Sequence, residues 1–140
     1  MKKKTIYTKN KQCYDFIVKN DLNISSLDHH HKDVFEMVHL LDNAIRANSR
    51  EAFLPIINFL TDHCTDHFLE EETIMKKNNF KLLNEHQKEH QRFINKIKQI
   101  KKMYDENIHT THIAYGIRQI IDSLIIHIQT IDIKMKGLEE

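Results

Sequence analysis

The sequence predicts an all-α fold, an up-down-up-down four-helix bundle with an N-terminal arm, and three observations carry that expectation. Only two glycines and one proline occur in 140 residues. Apolar residues recur at spacings of three and four along four separate stretches, the period of a helix with one buried face. The connections between those stretches are short, which favours antiparallel neighbours. The length suits one domain over residues 1–140, large enough to bury a core without staples.

Residues 1–24 carry Tyr7, Tyr14, Phe16, Ile17 and Val18 without clear periodicity, and are expected to form an arm packed along a bundle of residues 25–136. The first helix follows Ser25 and Ser26, both good N-caps, and its inward stripe is Leu27, His31, Val34, Val38, Leu41 and Ile45, ending near Asn48 and Ser49. The second starts near Pro55, a residue best tolerated in a first turn, and its stripe is Ile57, Leu60, Cys64, His67, Glu71 and Ile74. After a turn at Asn78 and Asn79 the third stripe reads Leu83, His86, His90, Phe93, Ile97, Ile100 and Tyr104. The fourth reads Ile113, Ile117, Ile120, Leu124, His127 and Ile131, and no internal repeat or low-complexity linker interrupts the series.

Twenty-one basic and twenty acidic residues leave a net charge of +1, which removes the electrostatic case for a nucleic-acid or anionic-membrane partner. Cys13 and Cys64 make no disulfide framework and neither lies in a CxxC, a usage that suits a reducing compartment. The basic start MKKKTIYTKNK lacks the apolar run of a signal peptide, and no stretch approaches the length of a membrane span, so a cytoplasmic protein is expected.

The eleven histidines are the compositional anomaly. Every stripe has one at a position whose apolar neighbours point inward, and the second adds a glutamate. Residues four apart differ by about 40° around a helix, so His67 with Glu71, and His86 with His90, each aim two side chains at one point. Burying a histidine without partners costs roughly 1–3 kcal/mol, and a carboxylate more, against a total stability of about 5–15 kcal/mol. A metal bound between the helices resolves the conflict, because coordination satisfies the nitrogens and neutralises the carboxylates.

The segments LDHHHK, HFLEEETIM, HQKEH and HIQTID stand in order along residues 27–132. In them the chain resembles the hemerythrins, specifically the single-domain bacterial type, whose signatures are an aspartate followed three residues later by histidine and lysine, then HFxxEExxM, HxxxH and HIxxxD. The resemblance implies seven metal ligands: His31 on the first helix, His67 and Glu71 on the second, His86 and His90 on the third, and His127 and Asp132 at the fourth. It implies two non-haem irons, one held by His86, His90 and His127 and the other by His31 and His67. Glu71 and Asp132 would bridge them together with an oxo or hydroxo group, and the two-histidine iron would keep a position open for dioxygen. Leu124 aligns with the family's apolar oxygen-pocket residue. Ser123 stands where the family often has tryptophan, which implies a wetter pocket and faster autoxidation.

The ligand set supports carrying oxygen rather than cleaving it, since many imidazoles and few carboxylates give little anionic support to a high-valent iron. Oxygenase-type bundles use ExxH pairs instead. Such pairs occur as Glu36 with His39 and Glu106 with His109, but the first is out of phase with the inward stripe and the second falls in a turn, so neither is expected in the core.

His29, His30 and His31 lie about 100° apart and cannot all face inward. Periodicity barely separates His30, which leads a line through Val34, Met37 and Leu41, from His31; the match of Asp28 and Lys32 to the family pattern selects His31. His127 and Asp132 are five apart, about 140° in a regular helix, so a π-type widening is expected there. His63, where the family usually has tyrosine, is either a core-edge histidine bonded to a carboxylate or water, or a residue that supports a ligand or relays a proton. Cys64 is expected to pack as a small apolar residue, and Glu70 and Glu72 to face solvent or the helix edge.

The sequence therefore implies a di-iron protein that binds dioxygen reversibly, for storage, delivery or protection of oxygen-sensitive enzymes, and that is not an enzyme. The rivals are a di-iron oxidase, peroxidase or nitric-oxide-handling enzyme, and an oxygen, iron or zinc sensor on the same bundle.

Overall fold

Four helices account for most of the chain. The computed structural model describes residues 25–130 and 132–138, with side chains for 33–130 and 134–138. In chain order the helices are α1 (Ser25–Ala47), α2 (Leu54–Lys77), α3 (Leu83–Asp105) and α4 (Thr110–Thr130); one 3-10 turn, Glu51–Phe53, leads into α2 and another, Asp132–Met135, follows α4. Pro55 sits in the first turn of α2, where its missing N–H costs nothing. Each helix packs on the next and α1 closes against α4, the all-α bundle expected. The arm 1–24, the side chains of Ser25, Ser26 and Leu27, and Ile131 lie outside the described residues. Among the described residues no helix is long and apolar enough to cross a membrane.

With so few glycines, the chain ends three helices on asparagine. Asn48, Asn79 and Asn107 adopt positive φ of 52°, 50° and 59°, the left-handed conformation that asparagine tolerates best among residues with a side chain. After α2, Asn79 N–H donates to Lys76 O and Phe80 N–H to Met75 O; after α3, Asn107 N–H donates to Tyr104 O and Ile108 N–H to Met103 O. Each pair is a Schellman motif that satisfies carbonyls a helix end would otherwise leave open.

Arg50, between α1 and α2, clasps the end of α3. Its guanidinium donates to Ile108 O at 2.6 Å and Tyr104 O at 2.5 Å, and lies 4.7 Å from the centroid of the Tyr104 ring. Arg50→Ala is expected to lower stability by about 1.5–3 kcal/mol. Arg50→Lys should recover little, since an ammonium cannot fork to both carbonyls and stack; equal thermal denaturation of wild type and Arg50→Ala would remove the clasp from the fold's supports.

The described members of the inward stripes are buried, except Leu83 and Tyr104, half-buried near the two ends of α3, and Ile45, which is a correction. Ile45 is 50% exposed, while Ala44 beside it is 1% exposed. Three residues after Leu41 rather than four, the smaller side chain takes the inward position, and the last turn of α1 shows Ile45 to solvent. A satellite cluster of Ile74, Met75 and Met135, with Phe80, Leu83 and Leu138 against it, closes one end of the bundle. The 3-10 turn after α4 delivers Met135 to it.

Candidate metal centre

Alternating helix direction decides where the polar core residues meet. His67 and Glu71 come late in α2, His86 and His90 early in α3, and His127 late in α4, so an antiparallel ring brings all three segments to one end. Glu71 and His86 are fully buried, and His67, His90 and His127 are no more than 8% exposed.

Donor atoms of Glu71, His86, His90 and His127 all lie within 4.8 Å of one another. Two ligands on one ion at about 2.1 Å each are at most about 4.2 Å apart, so the cluster needs to close by only tenths of an ångström. Glu71 is shared between two sides. Its Oε1 lies 3.0 Å from His90 Nε2 and 3.5 Å from His86 Nε2, and its Oε2 lies 2.5 Å from His67 Nε2.

His90 is held from three directions. Its Nδ1 lies 2.8 Å from Glu72 Oε2, whose other oxygen accepts from Gln87 Nε2 at 3.1 Å, and its ring stacks on Phe68 at 4.1 Å and 9°. With Nδ1–H donated to Glu72, Nε2 presents a lone pair to the Glu71 carboxylate, and only a proton or a cation between them makes that approach favourable. Buried imidazoles and a carboxylate converging in this way fit a metal ion.

Glu72 faces the helix edge as expected, and has a role there that the sequence did not disclose. It stands at the edge, with its side chain 21% exposed, and uses that position to reach back to His90. The available signal was chemical: an inward histidine usually gives its second ring nitrogen to a carboxylate, and Glu72 is adjacent to Glu71 on the facing helix. Gln87 and Phe68 were missed with it. Glu72→Ala is expected to weaken metal binding about 10- to 100-fold while the bundle stays folded. Competition against a chelator of known affinity measures this, and unchanged affinity would dismiss Glu72 as a support.

A cavity of about 20 Å³, room for one molecule of the size of water or dioxygen, opens beside His67. Val34, Met37, Phe68, Leu124 and Ile128 make its apolar wall and His127 its inner edge, while neither His86 nor His90 lines it. Cys64 is on the wall too and packs as a small apolar residue, 4% exposed. Burial, with the Glu71 carboxylate adding to it, pushes its thiol up to about 12, so it stays protonated at neutral pH.

His63 also borders the cavity; its Nε2 lies 2.8 Å from Asp33 Oδ2 and its ring stacks on Phe59 at 4.5 Å. This is the core-edge histidine bonded to a carboxylate. Glu36, His39, Glu106 and His109 are all exposed, as their phase required. The side chains of His29, His30, His31 and Asp132 lie outside the described residues. α4 runs through His127 to Thr130 and Asp132 opens a 3-10 turn; Ile131, within the segment where a π-type widening is expected, lies outside the described residues.

Fold and site together define a four-helix bundle built around a buried histidine–carboxylate cluster suited to a cation. A family model described as the hemerythrin HHE cation binding domain matches residues 22–138, and the chain belongs to that family. It is 33% identical over 81 residues to a bacteriohemerythrin of Pseudomonas paraeruginosa (strain DSM 24068 / PA7), covering 56% of this chain and 53% of that one. To a bacteriohemerythrin of Pseudomonas aeruginosa (strain LESB58) it is 32% identical over 81 residues, with the same 56% and 53% coverage. A myohemerythrin of Riftia pachyptila is 38% identical over 72 residues, 51% of this chain and 53% of the relative. The match thus spans about half the length of these relatives. No solved structure matches.

Proposed function

We propose that this chain is a cytoplasmic non-haem di-iron protein that binds dioxygen reversibly, serving oxygen storage, delivery or the protection of oxygen-sensitive enzymes. The observation that carries the reading is the divided carboxylate of Glu71, whose Oε1 addresses His86 and His90 and whose Oε2 addresses His67. One carboxylate serving two separate sets of imidazoles is what a bridge between two ions requires. His86, His90 and His127 are assigned to one iron, His31 and His67 to the other, and Glu71 and Asp132 to the bridge. His31 and Asp132 rest on the family motifs alone. Membership of the hemerythrin family supports the pair of irons, and its match over residues 22–138 supports reading 1–140 as a single hemerythrin-like domain.

When bound, the irons supply the electrons that hold dioxygen. The protein supplies everything around them. Imidazoles outnumber carboxylates at the site, which favours carrying oxygen over cleaving it. The cavity borders His67 and, at its inner edge, His127, but not His86 or His90, which supports the two-histidine side as the one with room for a guest. Leu124 and its apolar neighbours wall that room, and Glu72 holds the ring of His90.

The test is to reduce the protein without air, record its spectrum, admit oxygen and then remove it. Two irons per chain and a band that appears and disappears with oxygen are expected. Irreversible oxidation with turnover of peroxide or nitric oxide would move the protein to the redox enzymes, and zinc as the co-purifying metal would make it a sensor.

A further inference from the structure

Among the described residues, nine side chains, His67 included, line the cavity, and eight of them are buried. The exception is His63, whose side chain is 28% exposed. Among the described lining residues it is the most exposed, ahead of His67 at 10% for the side chain. The other walls are core, where close packing leaves no low-energy way to swing aside. A part-exposed ring at the end of a helix turn can change rotamer on a much faster timescale, with no movement of the backbone.

Asp33 and Phe59 are among the contacts that hold the ring where it is. Its Nε2 is 2.8 Å from Asp33 Oδ2 on α1, and its face lies on Phe59 one turn earlier in α2, at 4.5 Å and 14°. Both partners are themselves at the bundle's edge, intermediate in exposure. The hydrogen bond spans the seam between α1 and α2, and the stacked face lies within α2.

We propose that His63 is the gate of the cavity, latched by Asp33 and seated on Phe59, and that its rotation is the step that admits a diatomic guest from solvent. The proposal rests on the dioxygen-binding reading for the identity of the guest, but not for the existence of the gate. A gate of this kind sets how fast the guest enters and leaves without choosing the bound state.

Cys64 reports on the gate without any oxygen chemistry, because its buried thiol is on the cavity wall next to His63. The experiment uses the full-length chain with Cys13→Ser, so that labelling reads Cys64 alone, and with its metal content measured beside it. Two thiol reagents are compared: methyl methanethiosulfonate, which is small, and a bulky aromatic disulfide. Asp33→Ala is expected to speed labelling by the small reagent about tenfold, the weight of one hydrogen bond to a charged group. His63→Ala should speed it at least as much, and the bulky reagent should change little in either variant. Unchanged labelling by the small reagent overturns the gate. So does equal acceleration of both reagents, because that is the signature of general unfolding. Failure of the di-iron reading appears separately, as absent iron in the parent chain.

Discussion

Replacing Glu71 by leucine is expected to empty the site of metal and yet leave the metal-free protein no less stable than metal-free wild type. Glu71 is fully buried, with His67 on one oxygen and His86 and His90 on the other. On the proposed assignment that carboxylate joins both halves of the metal-bound site, so its loss removes a shared ligand rather than one of several. Iron per chain should fall from two to less than one. Without metal the same carboxylate is a buried group facing the imidazoles of His67, His86 and His90, and replacing a buried ionic cluster member with an apolar residue of similar volume is commonly neutral or stabilising by about 1–4 kcal/mol. The two measurements, elemental analysis and denaturant unfolding of the chelated proteins, must therefore move in different directions. A leucine variant that keeps two irons would end the bridging assignment. One that is several kcal/mol less stable without metal would show that Glu71 serves the fold first. His67→Ala should also cost iron, whereas His63→Ala should leave both irons in place.

What the sequence could disclose follows from the range of the forces involved. Helix positions came from apolar spacing, a local property, and α1 to α4 lie where the stripes and turn residues put them. His67, Glu71, His86, His90 and His127 were legible because a polar residue in an apolar stripe stands out against its own helix. Glu72 was not, since on its helix it looks like an ordinary edge charge and only the approach of α3 gives it His90 as a partner. The bond between His63 and Asp33 likewise joins two helices, 30 residues apart, and no periodicity in either one encodes it. Ile45 failed for another reason: the ideal helix angle does not hold to a terminus, where the smaller Ala44 takes the inward position.

Removing the metal is expected to loosen one end of the bundle and leave the other nearly as it was. The end formed by late α2, early α3 and late α4 contains the polar cluster, closed by the small satellite group around Met75 and Met135. The opposite end is apolar throughout, with Leu41, Ile56, Ile57, Ile113 and Ile117 no more than 1% exposed, and Arg50 ties its helix ends together. A ligand that binds only the folded state contributes about 4 kcal/mol at a free concentration of 1,000 times its Kd. That contribution acts where the ligands are, because a bundle can open in parts whose local stabilities differ. Hydrogen exchange followed by mass spectrometry should show protection in residues 64–77 and 83–93 falling by about a hundredfold or more on chelation, and in residues 97–104 and 113–120 by much less. Restoring iron should restore the first group. A uniform loss of protection along all four helices would mean that the bundle unfolds as one unit, with the metal stabilising the whole fold rather than the end that holds it.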